Sequence, residues 1–388
     1  MKPRSNREVN IMDFSPISDY IESFFRTEKG VHACEIEIRR SHETLFRYRT
    51  GYFDAADTVP LQGDELYFLY SCSKPMTCAA ALQLVEAGKL GLDDPVSRYL
   101  PEFANPYLLK DDQPVPATKV MTIRHLFTMT AGLDYNFQTK HIRSLLEEKP
   151  DASTREIVSA IARAPISFEP GERFQYSLCH DVLAAVIEVV SGERFSDYLR
   201  KNIWEPLGMT DTGFALTPEV RERLCAQYSY NKKDGLAGVP GTNIFIVSPN
   251  YESGGAGIIS NVSDYALFAD AMACGGVGAT GARILRPETV DLWRTEQLSG
   301  FTMNPAFGCA AGPGYGYGLG VRTLIDRSGG QKSSIGEFGW DGAAGSYILM
   351  DPDKEISIFF AMHVLGWPGL VGCCHAPLRD LTYEILGL

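Results

Sequence analysis

The chain has 388 residues, an ordinary globular composition and a formal net charge of −12. This acidic balance argues against nucleic acid or an anionic membrane surface as a partner, and it disfavours polyanionic substrates. The N-terminus is followed by no apolar segment typical of a secretory signal, and no run of about 18 apolar residues is present that could span a bilayer. We therefore expect a cytoplasmic protein without a membrane partner, and its oligomeric state is left open.

Cysteine and histidine usage bears on redox state and metals. Nine cysteines are an odd number and include no Cys-x-x-Cys pair, which favours reduced thiols over a disulfide framework. The histidines are scattered, without His-Glu-x-x-His or another cluster at metal-ligand spacing. The densest group of soft ligands, at residues 373–375, is better explained as a short turn before a C-terminal helix. The sequence thus predicts no metal and no organic cofactor.

The first predicted elements are a helix around residues 16–27 and a β-hairpin. Residues 34–39 alternate apolar and charged side chains, a pattern that indicates a half-buried antiparallel strand. A turn at residues 41–43 then leads into a second strand over 45–52.

Ser71 and Lys74 form a Ser-x-x-Lys pair at the start of an apolar helix that is predicted to end at Gly88. A separation of three residues gives a rise of roughly 4.5 Å, so hydroxyl and amine can meet on one helical face. Lysine accepts the serine proton only if burial or a neighbouring cation lowers its pKa, and the following apolar residues can supply burial. The pair predicts a nucleophile that needs no histidine. The alternative is a helix-capping serine with an exposed lysine.

A second Ser-x-x-Lys, at Ser229 and Lys232, shows that the spacing alone is a weak signal. About one copy is expected by chance in a chain of this length. The second copy lies in a polar stretch typical of a loop, so we interpret it as a chance occurrence.

The middle of the chain is predicted to be helical. Ser153 and Glu156 form a capping box ahead of apolar residues at helical spacing. Residues 182–190 indicate a buried helix that ends at Gly192, and the helical spacing continues over residues 195–203.

The C-terminal part returns to strands. Residues 346–350 and 356–362 form a predicted hairpin, and an amphipathic helix over 378–386 is expected to pack on the sheet. The glycine-rich stretches 253–257 and 312–320 match no nucleotide-binding motif, and we assign them to tight turns and close backbone approach.

These elements predict an α/β fold of the α+β type, with an antiparallel sheet flanked by helices. The sheet domain would comprise residues 1–98 and 238–388, from both ends of the chain. Residues 99–237 would form an inserted, mainly helical domain. Ser71 would then lie at the seam between the two domains, where clefts usually form.

Several stretches resemble one known superfamily in the same order along the chain. They are Phe-Leu-Tyr-Ser-Cys-Ser-Lys-Pro at 68–75 and the segments 88–96, 122–133, 206–212 and 315–320. Together they resemble the penicillin-recognising serine hydrolases from about residue 15 to the C-terminus. The branch that the chain resembles most is the class C β-lactamase-like esterases, often called family VIII carboxylesterases. The resemblance implies a β-lactamase/transpeptidase-like fold.

In that superfamily a Tyr-x-Asn motif supplies the second element of the site, and the resemblance places Tyr176 and Leu178 at its two defined positions. A tyrosine beside a cationic Lys74 is favoured as phenolate, and it could relay the Ser71 proton, a role typically worth ~10²–10⁴ in rate. The alternative is an ordinary core tyrosine. Leu178 replaces an amide that would contact an amide-bearing substrate, which weakens the case for lactam or peptide. His180 is expected to be a bystander.

The third element is usually Lys-Thr-Gly or His-x-Gly, and the resemblance implies that Trp340-Asp341-Gly342 replaces it. Trp340 offers an apolar wall for acyl or alcohol groups, whereas the absent lysine would have held a penicillin carboxylate. Strand alternation directs Trp340 and Asp341 to opposite sides, and we expect Trp340 and Gly342 to border the substrate. The same resemblance implies an oxyanion hole from the backbone N–H groups of Ser71 and Ala343, typically worth ~3 kcal/mol each.

The expected activity is that of a serine hydrolase with an acyl-enzyme intermediate, most simply an esterase or acyl transferase on a small ester. Ser71 would attack, with Lys74 and Tyr176 managing the proton. One alternative is a β-lactamase or D-amino-acid peptidase on an amide substrate. Another is a non-catalytic binding module, which has no need of these three residues together.

Overall fold

The computed structural model describes residues 12–25, 31–299 and 312–388. Within these ranges the strands are β1 (Ala33–Arg40), β2 (Glu43–Gly51), β3 (Tyr67–Phe68), β4 (Tyr107–Lys110), β5 (Gln113–Pro116), β6 (Gln227–Asn231), β7 (Gly235–Val239), β8 (Ile259–Ser260), β9 (Tyr315–Tyr317), β10 (Arg322–Leu324), β11 (Phe338–Asp341), β12 (Tyr347–Asp351), β13 (Ile356–Met362) and β14 (Val364–Leu365). The helices are α1 (Ser15–Phe25), α2 (Ser73–Glu86), α3 (Ile123–Phe127), α4 (Lys140–Glu148), α5 (Thr154–Ala162), α6 (Cys179–Ser191), α7 (Phe195–Leu199), α8 (Glu205–Leu207), α9 (Pro218–Glu222), α10 (Val262–Ala273), α11 (Pro287–Arg294) and α12 (Ala376–Ile385).

A seven-stranded sheet combines strands from both ends of the chain, in the order β2-β1-β13-β12-β11-β10-β9. Every neighbouring pair in it is antiparallel. β1 pairs with β13 from Cys34 opposite Met362 to Arg40 opposite Ile356. The predicted antiparallel sheet and both predicted hairpins are therefore confirmed.

Helices cover both faces of this sheet. On one face, Ile17 of α1 and Leu378 of α12 are buried in one cluster with Ile36 of β1. On the other face, the Tyr265 ring of α10 stacks on Phe359 of β13 at 4.3 Å. Burial of such large apolar side chains stabilises the fold by roughly 1.5–3 kcal/mol each. The sheet thus lies between two helical layers.

The prediction that β1 is half-buried is wrong, because its charged face is covered as well. Glu35 and Glu37 are only 1% and 4% exposed. Arg47 of β2 pairs with Glu35 at 2.6 Å, and Arg39 pairs with Glu37 at 2.8 Å. Ion pairs therefore replace water around these carboxylates, which makes their burial tolerable.

The helical middle follows its local sequence signals. The Ser153 hydroxyl accepts the Glu156 N–H, and the Glu156 carboxylate accepts the Ser153 N–H, so the predicted capping box is confirmed. α6 ends at Gly192, whose φ of +74° is the left-handed conformation that glycine favours at this position. The proposed division into residues 1–98 with 238–388 and residues 99–237 stays a prediction.

Four further expectations can be compared with the structure. Ser229 lies in β6 opposite Ala237 of β7, so the segment predicted as a loop is a hairpin strand, and Lys232 follows it in the turn. Residues 373–375 belong to a π-helical turn that leads into α12, as predicted. The eight cysteines that the structure describes are all free thiols. Within the described ranges, every helix is too short or too polar to cross a membrane.

His363, between β13 and β14, is a buried neutral imidazole behind the segment that leads to Ser71. Its Nδ1 lies 2.8 Å from the Cys225 carbonyl oxygen, while the Phe68 N–H donates to its Nε2 at 3.4 Å. This arrangement suits the tautomer with the proton on Nδ1. Burial lowers the pKa of His363 to about 4.

This histidine should make the fold sensitive to acid. Below its ordinary pKa of about 6.5, the unfolded chain binds a proton that the folded chain refuses, so the stability present above pH 6.5 is lost as pH falls toward 4. The His363 contribution is up to about 1.4 kcal/mol per pH unit. In urea unfolding between pH 5 and 7, His363→Gln should flatten this dependence, and the more exposed His141→Gln should change it less. Equal slopes in the wild type and His363→Gln would contradict this account.

Candidate active site

Ser71 lies in a single 3₁₀ turn, Tyr70–Cys72, directly before α2. The helix therefore begins two residues later than the serine. Tyr70 has a φ of +48°, a conformation that costs a non-glycine residue roughly 1–3 kcal/mol. The Tyr70 hydroxyl donates to the Gln227 side chain at 2.6 Å, and this contact helps to hold the turn.

Lys74 is in the first turn of α2 and is completely buried. Its amine donates to Ser71 Oγ at 3.1 Å and to the carbonyl oxygen of Gly255 at 2.7 Å. A buried amine needs such partners because it has lost those that water would provide. The Ser71 hydroxyl and the Lys74 amine thus meet, as their spacing predicts.

Tyr176 comes from the segment before α6, about a hundred residues further along the chain. Its hydroxyl donates to Ser71 Oγ at 2.6 Å. The Lys74 amine lies 4.5 Å from the centre of the Tyr176 ring. An alcohol, an amine and a phenol therefore converge on one point, and a positive charge at this distance would favour the phenolate.

Two aromatic rings hold the Tyr176 ring in place. Tyr135 stacks on it with centroids 5.5 Å apart, and Trp340 stacks on it at 5.8 Å. Trp340 Nε1 also donates to the Tyr176 hydroxyl at 3.3 Å. Burial, together with the negative charges of Tyr176 and Asp181, raises the pKa of Tyr135 well above its usual range. Tyr135, which sequence reasoning missed, therefore remains neutral beside Tyr176.

Trp340 and Asp341 at the end of β11 have different surroundings. While Trp340 contacts Tyr176, Asp341 pairs with Arg322 at 3.2 Å and with His375 at 2.9 Å. Burial alone would raise the pKa of Asp341, but Arg322 and His375 lower it below its ordinary value. Asp341 is thus an ionised structural residue beneath the strand.

The turn after β11 lies against the backbone that leads to Ser71. The Ser346 hydroxyl donates to the Leu69 carbonyl oxygen at 2.9 Å. A Cβ on Gly342 would collide with the same oxygen and with Ser346 Oγ, so glycine permits this approach. Ala343, the next residue, is exposed. We propose that the backbone N–H groups of Ala343 and Ser71 form the oxyanion hole.

A network around Asp181 of α6 positions the Gly255 carbonyl, and sequence reasoning missed it. Asp181 Oδ1 accepts the Ser253 hydroxyl at 2.5 Å, the Tyr251 hydroxyl at 2.6 Å and the Gly255 N–H at 3.4 Å. These bonds hold residues 251–255 so that the Gly255 oxygen meets Lys74. The available signal was an aspartate in the first turn of a mostly apolar helix.

Two residues close to Asp181 in the sequence, His180 and Leu178, are buried in the protein interior. His180 Nε2 lies 3.2 Å from the Phe127 carbonyl oxygen, and burial, with the charge of Lys74, lowers the pKa of His180 to about 3. This imidazole is therefore neutral. Leu178 is 1% exposed and packs in the core at the start of α6.

A large cavity and a group of possible metal ligands both lie away from Ser71, Lys74 and Tyr176. A cavity of about 880 Å³ is lined by Trp204, Phe214, Ile246 and their neighbours, and the three converging groups are not among its lining residues. The candidate site is therefore the point where Ser71, Lys74 and Tyr176 meet, because hydrogen-bonded geometry bears on chemistry more directly than volume does. Among the described residues, the one group of three potential metal ligands shares no residue with this site.

This chain is similar to known proteins over most of its length. The sequence model of the Beta-lactamase family matches residues 26–371. Esterase EstB of Burkholderia gladioli is 30% identical over 375 residues, which cover 89% of this chain and 89% of EstB. Protein Rv1367c of Mycobacterium tuberculosis is 30% identical over 364 residues, which cover 87% of this chain and 90% of that protein.

A solved structure extends the likeness to three dimensions. EstCE1, described as a hydrolase with promiscuous acyltransferase activity, superposes with a TM-score of 0.77 at 26% identity, covering 95% of this chain and 99% of EstCE1. The β-lactamase/transpeptidase-like fold expected from the sequence is confirmed. The chain belongs to the β-lactamase family and is a serine hydrolase.

Proposed function

We propose that this serine hydrolase is an esterase that cleaves small esters through an acyl-enzyme on Ser71 and can pass the acyl group to an alcohol. One arrangement carries the proposal. The Ser71 hydroxyl oxygen lies 3.1 Å from the Lys74 amine and 2.6 Å from the Tyr176 hydroxyl. Such spacing lets a proton leave the nucleophile as it attacks.

Acylation would begin from the state in which Tyr176 has lost its proton and is a phenolate stabilised by the Lys74 cation, so that the Ser71 hydroxyl donates along the 2.6 Å contact between them. The phenolate takes the Ser71 proton while Ser71 Oγ bonds to the ester carbonyl carbon. The Ser71 and Ala343 N–H groups would donate to the resulting oxyanion. Tyr176 then returns the proton to the alkoxy oxygen as the C–O bond breaks, so an alcohol leaves and the acyl group stays on Ser71.

Deacylation repeats these steps with a second nucleophile. Tyr176 takes a proton from water or from an acceptor alcohol, which attacks the acyl carbon. Ser71 Oγ leaves and recovers its proton from Tyr176. Water yields a carboxylic acid and an alcohol yields a new ester, and both routes balance without a metal or an organic cofactor.

The surroundings of the site favour esters over lactams. By the family resemblance, Trp340 replaces the cationic lysine that would hold a penicillin carboxylate, and Arg322 is engaged with Asp341 beneath the strand. Leu178 offers no amide to a substrate. The names of EstB, an esterase, and EstCE1, a hydrolase with acyltransferase activity, support the same choice.

Replacing the nucleophile tests the core of the proposal. Ser71→Ala should abolish hydrolysis of p-nitrophenyl butyrate and covalent labelling by a fluorophosphonate, measured by absorbance and by intact-protein mass. Ser229→Ala is the matched control, because it removes the serine of the second Ser-x-x-Lys and should leave both intact. Turnover or labelling that persists in Ser71→Ala would remove Ser71 from the mechanism.

The phenol of Tyr176 should be needed in addition to its ring. Tyr176→Phe keeps the stacked ring and removes the proton relay, so kcat should fall by ~10²–10⁴. Tyr135→Phe, a control in the neighbouring ring, should cost far less because Tyr135 is neutral. A kcat for Tyr176→Phe within tenfold of the wild type would assign the proton transfer to Lys74 alone.

Substrate preference separates the esterase from its closest alternative. We expect kcat/KM for p-nitrophenyl butyrate to exceed that for the lactam nitrocefin by orders of magnitude. Comparable values would instead identify a β-lactamase. A protein that hydrolyses neither compound and takes no fluorophosphonate label would be a binding module.

A further inference from the structure

Three side chains of different ligand types meet at a position that shares no residue with the Ser71 site. His42 lies in the turn between β1 and β2, and Asp270 and Cys274 lie at the C-terminal end of α10. One donor atom from each lies within 4.8 Å of the other two. We infer that His42, Asp270 and Cys274 form a binding site for a thiophilic divalent cation such as Zn²⁺.

The donor atoms lie near the separations of a tetrahedral ion, and binding would shorten the longest of them by up to about 1 Å. His42 Nδ1 lies 2.8 Å from Asp270 Oδ2, and Cys274 Sγ lies 4.0 Å from Asp270 Oδ1. Zinc bonds of 2.0–2.3 Å to nitrogen, oxygen and sulfur place neighbouring donors roughly 3.3–3.8 Å apart. One observed separation, to Asp270 Oδ2, is shorter than this range, and the other, to Asp270 Oδ1, is slightly longer. The His42 side chain is 35% exposed, which leaves a path for the ion and room for water as a fourth ligand.

Asp270 is held in place as a metal-binding carboxylate usually is. It is 1% exposed, and the backbone N–H of His42 donates to its Oδ1 at 3.1 Å. Arg39 lies 3.7 Å from the same oxygen and pairs with Glu37 at 2.8 Å. Outer hydrogen bonds of this kind orient the ligands of metal sites.

The charges around the site favour a cation. Asp270 lies in the last turn of α10, where the helix dipole disfavours a negative charge. Arg39 lies between the carboxylates of Asp270 and Glu37, and Glu37 also pairs with Arg47 at 3.9 Å. Glu355 adds a further negative charge, since it accepts a hydrogen bond from Ser41 in the same turn as His42. A divalent ion would offset this excess.

Cys274 would contribute its sulfur to the ion. A zinc-bound cysteine is coordinated as the thiolate, so binding would exchange the S–H proton for an S–metal bond and release that proton. Metal affinity should therefore rise with pH.

This inference departs from the sequence-based expectation of no metal. His42 and the Asp270–Cys274 pair are distant in the sequence, and the packing of α10 on the sheet brings them together. An ion here would join the β1–β2 turn to α10. Its effect would therefore be on stability, independent of the chemistry at Ser71.

The test uses reduced, chelator-stripped protein titrated with zinc chloride against a chromophoric chelator. We expect one Zn²⁺ per chain with a dissociation constant in the micromolar range, and a higher thermal midpoint with zinc. Cys274→Ser should weaken binding by at least about tenfold to a hundredfold. The matched control is Cys373→Ser, which removes an exposed cysteine elsewhere and should bind zinc like the wild type.

A second probe, cobalt(II), distinguishes loss of the sulfur ligand from a change in the fold caused by the Cys274→Ser substitution. Cobalt(II) should give an intense sulfur-to-metal absorption band in the wild type and in Cys373→Ser, but not in Cys274→Ser. Hydrolysis of p-nitrophenyl butyrate, unchanged among these proteins, would show that each is folded. The inference is overturned if zinc does not saturate a site below about 100 µM, or if Cys274→Ser and His42→Ala both bind zinc like the wild type.

Discussion

Complete burial of the Lys74 amine is the constraint on which the rest of the site depends. An amine without water must find partners inside the protein, and here these include Ser71 Oγ and the Gly255 carbonyl oxygen. The Gly255 oxygen is available because Asp181, from α6, holds the segment that carries it. One buried nitrogen therefore links α2, α6 and the loop before β8, and it fixes the orientation of the serine beside it.

The sheet approaches the same point through its backbone. Ser346 and Gly342, in the turn between β11 and β12, contact the Leu69 carbonyl oxygen just before Ser71. β11 then presents Trp340 to the Tyr176 ring, while Asp341 holds the strand from beneath through Arg322. Close backbone contact, and not a long side chain, thus sets the distance between the sheet and the nucleophile.

Features that depend on residues close together in the sequence could be predicted from it, whereas pairings between distant residues could not. The Ser153 capping box, the glycine that ends α6 and the spacing of Ser71 and Lys74 each depend on residues a few positions apart, so periodicity and spacing suffice. Tyr176 could be placed only by family resemblance, because nothing local distinguishes it from a core tyrosine.

The wrong prediction for β1 and the functional residues that were missed have the same physical cause, which is contact between residues distant in the sequence. β1 was expected to have a solvent-facing side, but Arg47 from the adjacent strand pairs with its Glu35 and α10 packs over the sheet. Tyr135 and Asp181 acquire their importance from partners that are distant in sequence. A single sequence contains no direct record of such contacts.

The strand order, in which β1 pairs with β13, also determines when the nascent polypeptide can complete its sheet. β1 is synthesised together with β2, yet its other edge stays open until β13, far later along the chain, pairs Met362 with Cys34. During that interval the nascent chain displays an unpaired edge whose apolar residues invite association with other chains. Folding of this enzyme during synthesis should therefore be limited by late, non-local β-pairing, and the nascent β1–β2 hairpin should be a client for chaperones that shield strand edges.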